Sequence, residues 1–216
     1  MRRLRAAIGL ALLAALVTPA AGPSAAAAVD ARVIVALGDS LTAGLGVAPD
    51  DAWPALLQAR LDREGYAWRV VNAGVSGDTS AGGVRRVDWV LRAHPSIVIV
   101  ALGANDGLRG ASVPALEANL TAIVERLKAA GVRVLLAGMR MPANYGDEYT
   151  RRFAAVFPAV ARKTGVPLIP FLLEGVAAVP ALNQPDGIHP NPAGQRRLAE
   201  HVWRYLRPLL ANGPAA

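Results

Sequence analysis

The sequence predicts an α/β domain, a three-layer α/β/α sandwich in which a parallel sheet of about five strands lies between layers of helices. Five short apolar runs recur along the chain, and most are continuous and rich in β-branched residues, as is typical of strands buried on both faces. Segments with a helical spacing of apolar residues separate these runs. Because strand and helix alternate, right-handed crossovers and a parallel sheet are favoured.

The elements follow one another in a regular order. The predicted strands are Val33–Leu37, Trp68–Val71, Ile97–Leu102, Val132–Ala137 and Pro167–Leu172. The apolar positions of the predicted helices are Trp53, Leu56, Leu57 and Leu61; Val84, Val87, Val90 and Leu91; Leu116, Leu120, Ile123, Val124 and Leu127; Phe153, Val156, Phe157 and Val160; and Leu198, Val202, Tyr205, Leu206 and Leu209. Pro114 and Gly131 mark the start and end of the third helix, and Asn191-Pro192 predicts the start of the last. Pro158 is an unusual residue for the interior of the fourth.

The amino-terminal residues have the features of a signal peptide. A basic segment, Met1–Arg5, precedes the apolar segment Ile8–Val17 and the small residues Ala25–Ala28. The apolar segment is much shorter than the ~20 residues that a membrane-spanning helix requires. We therefore predict export to the periplasm or secretion, without stable membrane insertion. The predicted parts are a signal peptide over 1–28, one domain over 29–210 and a flexible tail over 211–216.

Composition excludes several classes of protein. The chain has no cysteine, so disulfides, thiol chemistry and a cysteine-linked lipid anchor are excluded. The formal charge is +7, and removing the three arginines of the predicted signal peptide leaves 20 basic against 16 acidic residues, or +4. These basic residues are scattered without aromatic interleaving, so we expect no nucleic-acid partner. We expect no metal or other cofactor, because the three histidines are not clustered.

Polar residues and glycines follow the predicted strands. The segments concerned are Gly38-Asp39-Ser40, Asn72–Thr79, Gly103–Gly107, Gly138–Pro142 and Asp186–Pro190. Because the carboxyl ends of parallel strands meet at one edge of the sheet, these segments are expected to lie together. They supply a hydroxyl nucleophile, an amide donor, a closely approachable glycine N–H and a His/Asp pair, which are the parts of an acyl-transfer site. Taken singly, each segment is also compatible with a helix cap or a turn.

A serine nucleophile needs a base, and that base needs an orienting partner. His94 precedes the third strand at the opposite edge of the sheet, and His201 lies within the last helix, so we expect structural or surface roles for both. His189 stands just before that helix, three residues after Asp186. In a tight turn this carboxylate can reach Nδ1 and leave Nε2 facing outward. The alternative is a capping turn in which Asp186 binds only backbone amides.

Four motifs, GDSLTAG, NAGVSGDTS, GANDGLRG and DGIHPN, resemble in order and spacing the sequence blocks of the GDSL/SGNH hydrolase superfamily. The resemblance is greatest to its thioesterase I, arylesterase and lysophospholipase branch, which is usually periplasmic in bacteria. It continues through Trp53–Leu57, Met141–Gly146 and Val166–Phe171, and so covers essentially the whole mature chain. It implies a flavodoxin-like arrangement of the sheet and a carboxylic ester hydrolase.

The resemblance also implies the roles of individual residues. Ser40 is the implied nucleophile, His189 the base and Asp186 its orienting partner, while Asp39 is expected to order the nucleophile turn. The family motif around Ser40 differs from the G-x-S-x-G elbow of other hydrolases.

The implied oxyanion hole consists of the N–H groups of Ser40 and Gly77 and the side-chain amide of Asn105. The family glycine aligns with Gly77 and not with Gly74. We therefore expect Gly77→Ala to reduce activity and Gly74→Ala to be comparatively mild.

The substrate site is less well defined by the sequence. Candidate substrate-binding residues are Leu108, Met139, Met141 and Pro142, and packing roles remain equally open for them. Glycines flank Leu108-Arg109, so this segment could move over the site. The expected substrate is a small-molecule acyl ester or thioester, a class that includes aryl esters and lysophospholipids. The expected enzyme is a monomer.

Three alternatives remain at this point. One is a carbohydrate acetyl esterase of the same superfamily, and another is a binding protein without turnover. The third is a flavodoxin-like binding or phospho-receiver domain, which would require an acidic cluster after the first strand and a lysine after the fifth. The only lysines, Lys128 and Lys163, lie in helical segments, which disfavours this alternative.

Overall fold

One parallel sheet organises the computed structural model, which describes residues 32–210. Its strands are β1 (Arg32–Gly38), β2 (Trp68–Gly74), β3 (Ile97–Ala101), β4 (Arg133–Ala137) and β5 (Leu168–Ile169). They lie in the order β2-β1-β3-β4-β5, and every neighbouring pair is parallel. This order confirms the predicted flavodoxin-like α/β fold. The predicted signal peptide and carboxyl-terminal tail lie outside the described residues.

Helices cover both faces of the sheet. The α-helices of residues 32–210 are α1 (Ser40–Ala43), α2 (Trp53–Arg63), α3 (Ser80–Leu91), α4 (Ala104–Leu108), α5 (Val113–Ala129), α6 (Asp147–Thr164) and α7 (Pro192–Leu210). The connection through α2 leads to one edge, whereas those through α3, α5 and α6 lead towards the other. Right-handed crossovers therefore place α2 on one face and the other three on the opposite face. Accordingly α2 packs against α7, while α3, α5 and α6 pack side by side.

The predicted apolar stripes form the core. All five predicted positions of α5 and all four of α6 are buried, as are three of four in α2, two of four in α3 and three of five in α7. The central strands β1 and β3 are buried almost throughout, which agrees with their continuous apolar sequences. Strand β2 lies at the edge of the sheet, and there Arg69 and Asn72 are exposed. No helix among residues 32–210 combines the length and apolarity needed to cross a bilayer.

The last strand is shorter than predicted. Only Leu168 and Ile169 pair with β4, whereas the prediction extended from Pro167 to Leu172. Pro167 and Pro170 have no N–H to donate to a ladder, so regular pairing stops at both. The chain still follows β4, because Gly138 N–H donates to Ile169 O at 2.8 Å.

Two helix predictions involve proline. Helix α7 begins at Pro192 as predicted, since Asn191 Oδ1 accepts hydrogen bonds from the N–H groups of Ala193 and Gly194, both at 3.0 Å. Helix α6 continues through Pro158 to Thr164 and ends before Gly165, whose φ is 69°. The buried aromatic residues of α6 therefore lie on a helix whose ladder lacks one N–H donor.

Candidate active site

The nucleophile turn lies at the carboxyl end of β1, the strand between β2 and β3. Strand β1 ends at Gly38 and α1 begins at Ser40, with Asp39 between them. Asp39 Oδ1 accepts a hydrogen bond from Leu41 N–H at 3.0 Å, which caps the helix. Only a glycine fits at position 38, because a Cβ there would lie 2.0 Å from Thr42 Oγ1. The chain therefore turns sharply at the end of a buried strand and presents Ser40, whose exposed fraction is 9%.

Ser40, His189 and Asp186 form a hydrogen-bonded chain. His189 Nε2 lies 3.0 Å from Ser40 Oγ, and His189 Nδ1 lies 2.7 Å from Asp186 Oδ2. The second carboxylate oxygen, Oδ1, accepts from the N–H groups of Ile188 and His189, each at 3.0 Å. Asp186 thus binds both the backbone of the turn and the imidazole ring, so the two arrangements weighed from the sequence are both present. The remaining ring nitrogen faces Ser40.

The electrostatics of this turn favour an ionised carboxylate. The pKa of Asp186 is lowered from 3.8 to about 2, first by the hydrogen bond from the His189 N–H, then by the His189 side chain and by the Ile188 N–H. The side chain is 45% exposed, so water screens part of this interaction. At neutral pH the carboxylate is charged and accepts a hydrogen bond from the Nδ1–H group, which leaves Nε2 able to accept a hydrogen bond from a hydroxyl.

Ser40, Gly77 and Asn105, the residues that carry the three predicted oxyanion donors, line the same groove as His189. Within residues 32–210, no protein acceptor binds the N–H of Ser40 or of Gly77. Asn105 Nδ2 donates to Asp78 O at 2.9 Å, which fixes the amide plane. The Asn-Asp-Gly segment, which by itself indicated a turn, instead forms most of helix α4.

The two glycines at and after the end of β2 differ in how much space surrounds them for an added side chain. Gly77 has φ +79°, and an added Cβ would meet only Arg109 Nη2, at 3.6 Å. Gly74 is far more confined, because a Cβ there would lie 2.2 Å from Ala43 N, in the backbone of the helix that begins at Ser40. The expectation that Gly74→Ala is comparatively mild is therefore wrong: this glycine lets β2 approach α1 closely.

Asp39 is a buried acid beside the donors. Its exposed fraction is 1%, and burial raises its pKa from 3.8 to about 6, against the opposing effects of the Leu41 N–H and of His189. Asp39 Oδ2 lies 3.5 Å from Asn105 Nδ2. Its position, with the cap on Leu41, agrees with the expected role of ordering the nucleophile turn.

A largely apolar groove of about 490 Å³ leads away from Ser40. All four predicted substrate-binding residues line it, namely Leu108, Met139, Met141 and Pro142. Sequence reasoning missed further lining residues, among them Leu45, Phe171, Leu173, Ala177 and Ile188. Phe171, Leu173 and Ala177 lie on the segment that follows β5, whereas Leu45 follows α1 and Ile188 precedes His189, so only the tertiary structure brings the three segments together.

The other two histidines lie outside the groove. His94 is exposed, with φ 46°, next to β3 at the amino edge of the sheet. His201 Nε2 lies 2.9 Å from Phe171 O, and burial lowers the pKa of this imidazole. Across residues 32–210 there is no group of three or more His, Asp or Glu side chains placed to hold a metal ion.

Two polar clusters beside the site were not predicted. One joins Ser80 to Asp106, and the other joins Arg86 to Asp78. In the sequence both aspartates are typical turn residues, and nothing in the spacing to their partners indicates a contact.

The fold is that of an SGNH hydrolase: the structure of AlinE4, an esterase of the SGNH-hydrolase family, superposes with a TM-score of 0.70 at 41% identity, covering 86% of this chain and 98% of that one. The sequence matches the GDSL-like Lipase/Acylhydrolase family over residues 36–197, and the chain belongs to this family. It is therefore an enzyme, a carboxylic ester hydrolase, as the motifs predicted.

Relatives support this assignment. Esterase TesA of Pseudomonas aeruginosa is 48% identical over 181 residues, which cover 83% of this chain and 90% of the relative. The Escherichia coli K12 protein named thioesterase 1/protease 1/lysophospholipase L1 is 44% identical over 186 residues, covering 86% and 87%. A crystal structure of TesA superposes with a TM-score of 0.80 at 47% identity, covering 82% of this chain and 99% of that one.

Proposed function

We propose that this protein is an exported serine esterase and thioesterase that hydrolyses aryl esters, acyl thioesters and lysophospholipids through an acyl-enzyme on Ser40. The observation that carries the proposal is the hydrogen-bonded chain from Ser40 Oγ through His189 to Asp186, at the mouth of an apolar groove. A hydroxyl with a base at 3.0 Å, itself oriented by a carboxylate, is the arrangement that activates a serine.

The proposed reaction has two halves. Ser40 Oγ attacks the acyl carbonyl while His189 Nε2 removes the hydroxyl proton, and Asp186 stabilises the imidazolium that forms. His189 then protonates the leaving alcohol or thiol as its bond to the acyl carbon breaks. Water attacks the acyl-enzyme with His189 again as the base, and the proton returns to Ser40 Oγ as the carboxylic acid leaves.

The proposed oxyanion hole stabilises the tetrahedral intermediates. Its donors would be the N–H groups of Ser40 and Gly77 and the amide of Asn105, and these three residues line the same groove. Donors aimed at the developing negative charge contribute about 3–4 kcal/mol each in favourable cases. No metal is required, because these donors supply the charge stabilisation.

The groove accounts for the proposed substrate class. Its walls are mainly aliphatic, aromatic and methionine side chains, which suit a hydrocarbon acyl chain. Large apolar residues remain exposed around its mouth, namely Leu45 at 45%, Leu108 at 36% and Ile188 at 44%. Burying these side chains against an acyl chain provides about 25 cal/mol per Å² of apolar surface. Substrates with longer acyl chains are therefore favoured over acetyl esters.

A carbohydrate acetyl esterase is not favoured. An acetyl group leaves most of an apolar groove of about 490 Å³ unfilled. The relatives compared above are named as an esterase and as a thioesterase and lysophospholipase. We further propose a monomeric, periplasmic or secreted enzyme without a nucleic-acid partner, on the basis of the leader-like segment and the scattered basic residues.

A fluorophosphonate labelling experiment tests the proposal. The mature protein should be labelled on Ser40 and lose activity, and Ser40→Ala should be neither labelled nor active. Ser76 lines the same groove, so Ser76→Ala is the matched control and should keep both properties. An adduct mapped to Ser76 or Ser80 would contradict the assignment of Ser40. Loss of activity on treatment with EDTA would contradict the metal-free mechanism.

Substrate class is tested separately. A matrix of p-nitrophenyl esters, acyl thioesters and lysophospholipids should show higher kcat/KM for longer acyl chains than for acetyl. Acetylated sugars should be poor substrates, and a reversal of this order would favour the carbohydrate esterase.

A further inference from the structure

One arginine joins the backbone segments that carry the proposed oxyanion donors. Arg86 lies on α3, and its side chain is 20% exposed. Its Nη1 donates to Ala73 O at 2.8 Å and its Nη2 to Gly38 O at 3.1 Å. These carbonyls belong to the ends of β2 and β1, the strands that lead to Gly77 and to Ser40. A planar guanidinium with several donors in fixed directions can hold two strand ends at once.

The same guanidinium also binds Asp78. Arg86 Nε donates to Asp78 Oδ2 at 2.8 Å, and Nη2 donates to the same oxygen. The carboxylate is only 12% exposed, and its Oδ1 accepts from Thr79 N–H at 3.0 Å. The Asp78 side chain is therefore held on both oxygens, one by the guanidinium and one by the loop itself.

Asp78 connects this pair to the third donor. Its backbone carbonyl accepts the hydrogen bond from Asn105 Nδ2 at 2.9 Å, and Asp78 directly follows Gly77. Displacing Asp78 would move the acceptor of the Asn105 amide and the residue next to Gly77, whose own carbonyl accepts from Arg109 Nη2 at 2.9 Å. Arg86 therefore contacts the strand ends that lead to Ser40 and Gly77, together with the residue that holds the Asn105 amide.

We infer that Arg86, acting through Asp78, is a positioning residue that holds the oxyanion hole in the geometry of the transition state. The inference rests on the proposed function, because it assigns a purpose to donors that only that function uses. Preorganised donors stabilise charge without reorganising during the reaction, and displacement by about 1 Å can cost about 10²-fold in rate. Loss of the pair should therefore lower kcat more than it raises KM.

The test compares Arg86→Gln with Arg85→Gln. Arg85 is the exposed neighbour on the same helix, so its variant controls for the loss of charge. With soluble p-nitrophenyl butyrate, we expect Arg86→Gln to lower kcat by about 10–100-fold with KM within about twofold. Affinity for an alkyl boronic acid, which forms a tetrahedral adduct with a serine, should fall by a similar factor. Arg85→Gln should match the wild type.

Two further variants guard against a simple folding defect. Arg86→Lys keeps the charge but cannot reach both strand ends and Asp78 in one plane, so we expect an intermediate kcat. Gly82→Ala leaves Arg86 intact, yet its Cβ would lie 1.6 Å from Asp78 Oδ1 and must displace that carboxylate. Gly82→Ala should reproduce the loss of kcat. All assays are made well below the melting temperature of each variant.

The outcomes separate this inference from the proposed function. The inference would be overturned, and the proposed function kept, by two results together. Ser40 of the wild type would be labelled by the fluorophosphonate, and folded Arg86→Gln and Gly82→Ala would keep the kcat and boronate affinity of the wild type. The inference would also be overturned if kcat fell across the variants only in proportion to the fall in melting temperature. Failure of the wild type to be labelled on Ser40 would overturn both.

Discussion

Ser80 Oγ donates a 2.6 Å hydrogen bond to Asp106 Oδ1, and Ser80 N–H donates to Asp106 Oδ2 at 2.8 Å. Both residues are buried, and Asn119 Nδ2 donates to the Ser80 hydroxyl at 3.0 Å. The contact joins the start of α3 to α4, the helix that carries Asn105. It therefore ties the loop after β2 to the loop after β3 beneath the groove.

Asp106→Ala should destabilise the protein by about 2–4 kcal/mol, because it leaves two buried donors of Ser80 without an acceptor. Asp106→Asn keeps one acceptor and should cost less. Urea denaturation measures both. Asp88→Ala is the control, since the carboxylate of Asp88 is 62% exposed in its pair with Arg126 and should contribute about 0–1 kcal/mol. Equal destabilisation by Asp106→Ala and Asp88→Ala would show that the buried contact contributes no more to the free energy of unfolding than an exposed ion pair.

Asp39 should make stability depend on pH. Burial raises its pKa from 3.8 to about 6, so between these values the folded protein holds a proton that the unfolded chain has released. The free energy of unfolding contributed by this group is therefore highest below pH 4 and falls as pH rises towards 6. Asp39→Asn, which keeps an oxygen for the Leu41 N–H, should gain stability relative to the wild type over this window.

Denaturation curves at several pH values between 4 and 7 measure the difference. Asp50→Asn serves as the control, because Asp50 is exposed in the short 3₁₀ helix Pro49–Asp51. Parallel pH profiles for the wild type and Asp39→Asn would contradict the assignment of a raised pKa to Asp39.

Asn105→Ala should lower kcat by about 10²–10³ with little change in KM, since its amide donates to charge that exists only in the transition state. Asn105→Asp should be at least as damaging, because it replaces a donor by a carboxylate beside the oxyanion. Kinetics and melting temperature are measured together for each variant. If activity falls only as far as folding does, Asn105 has a structural role in α4 and no part in catalysis.

Alanine substitutions at the two glycines at and after the end of β2 are now both expected to reduce activity. Gly74→Ala should lose both stability and activity, because its Cβ would meet the α1 backbone at 2.2 Å from Ala43 N. Gly77→Ala should cost about 1–2 kcal/mol of backbone strain and lower kcat through the displaced N–H. Gly65 has a similar φ, +76°, with nothing within 4 Å of an added Cβ, so Gly65→Ala measures the strain alone. Wild-type kcat in Gly77→Ala would remove Gly77 from the oxyanion hole.

The sequence predicted the fold and most of the site because both depend on local patterns. Buried strands appear as continuous apolar runs, and Ser40 and Asn105 follow those runs within a few residues. Asp186 and His189 stand well after β5, and the resemblance of the DGIHPN motif implied their roles. Where pairing depends on tertiary context, prediction failed: β5 ends early between Pro167 and Pro170, and Gly74 is tight only because α1 folds against it. The partners of Asp78 and Asp106 lie on other elements, so their spacing carries no signal.

Ser40 follows the first strand, and His189 lies 149 residues later, just before the last helix. Strand β1 pairs with β2 on one side and β3 on the other, so the end that presents the serine is set only after both have folded. A nascent chain emerges amino terminus first and carries the nucleophile long before its base. Under the proposed mechanism, the esterase stays inert until the segment that carries His189 has been synthesised and has folded against the end of β1.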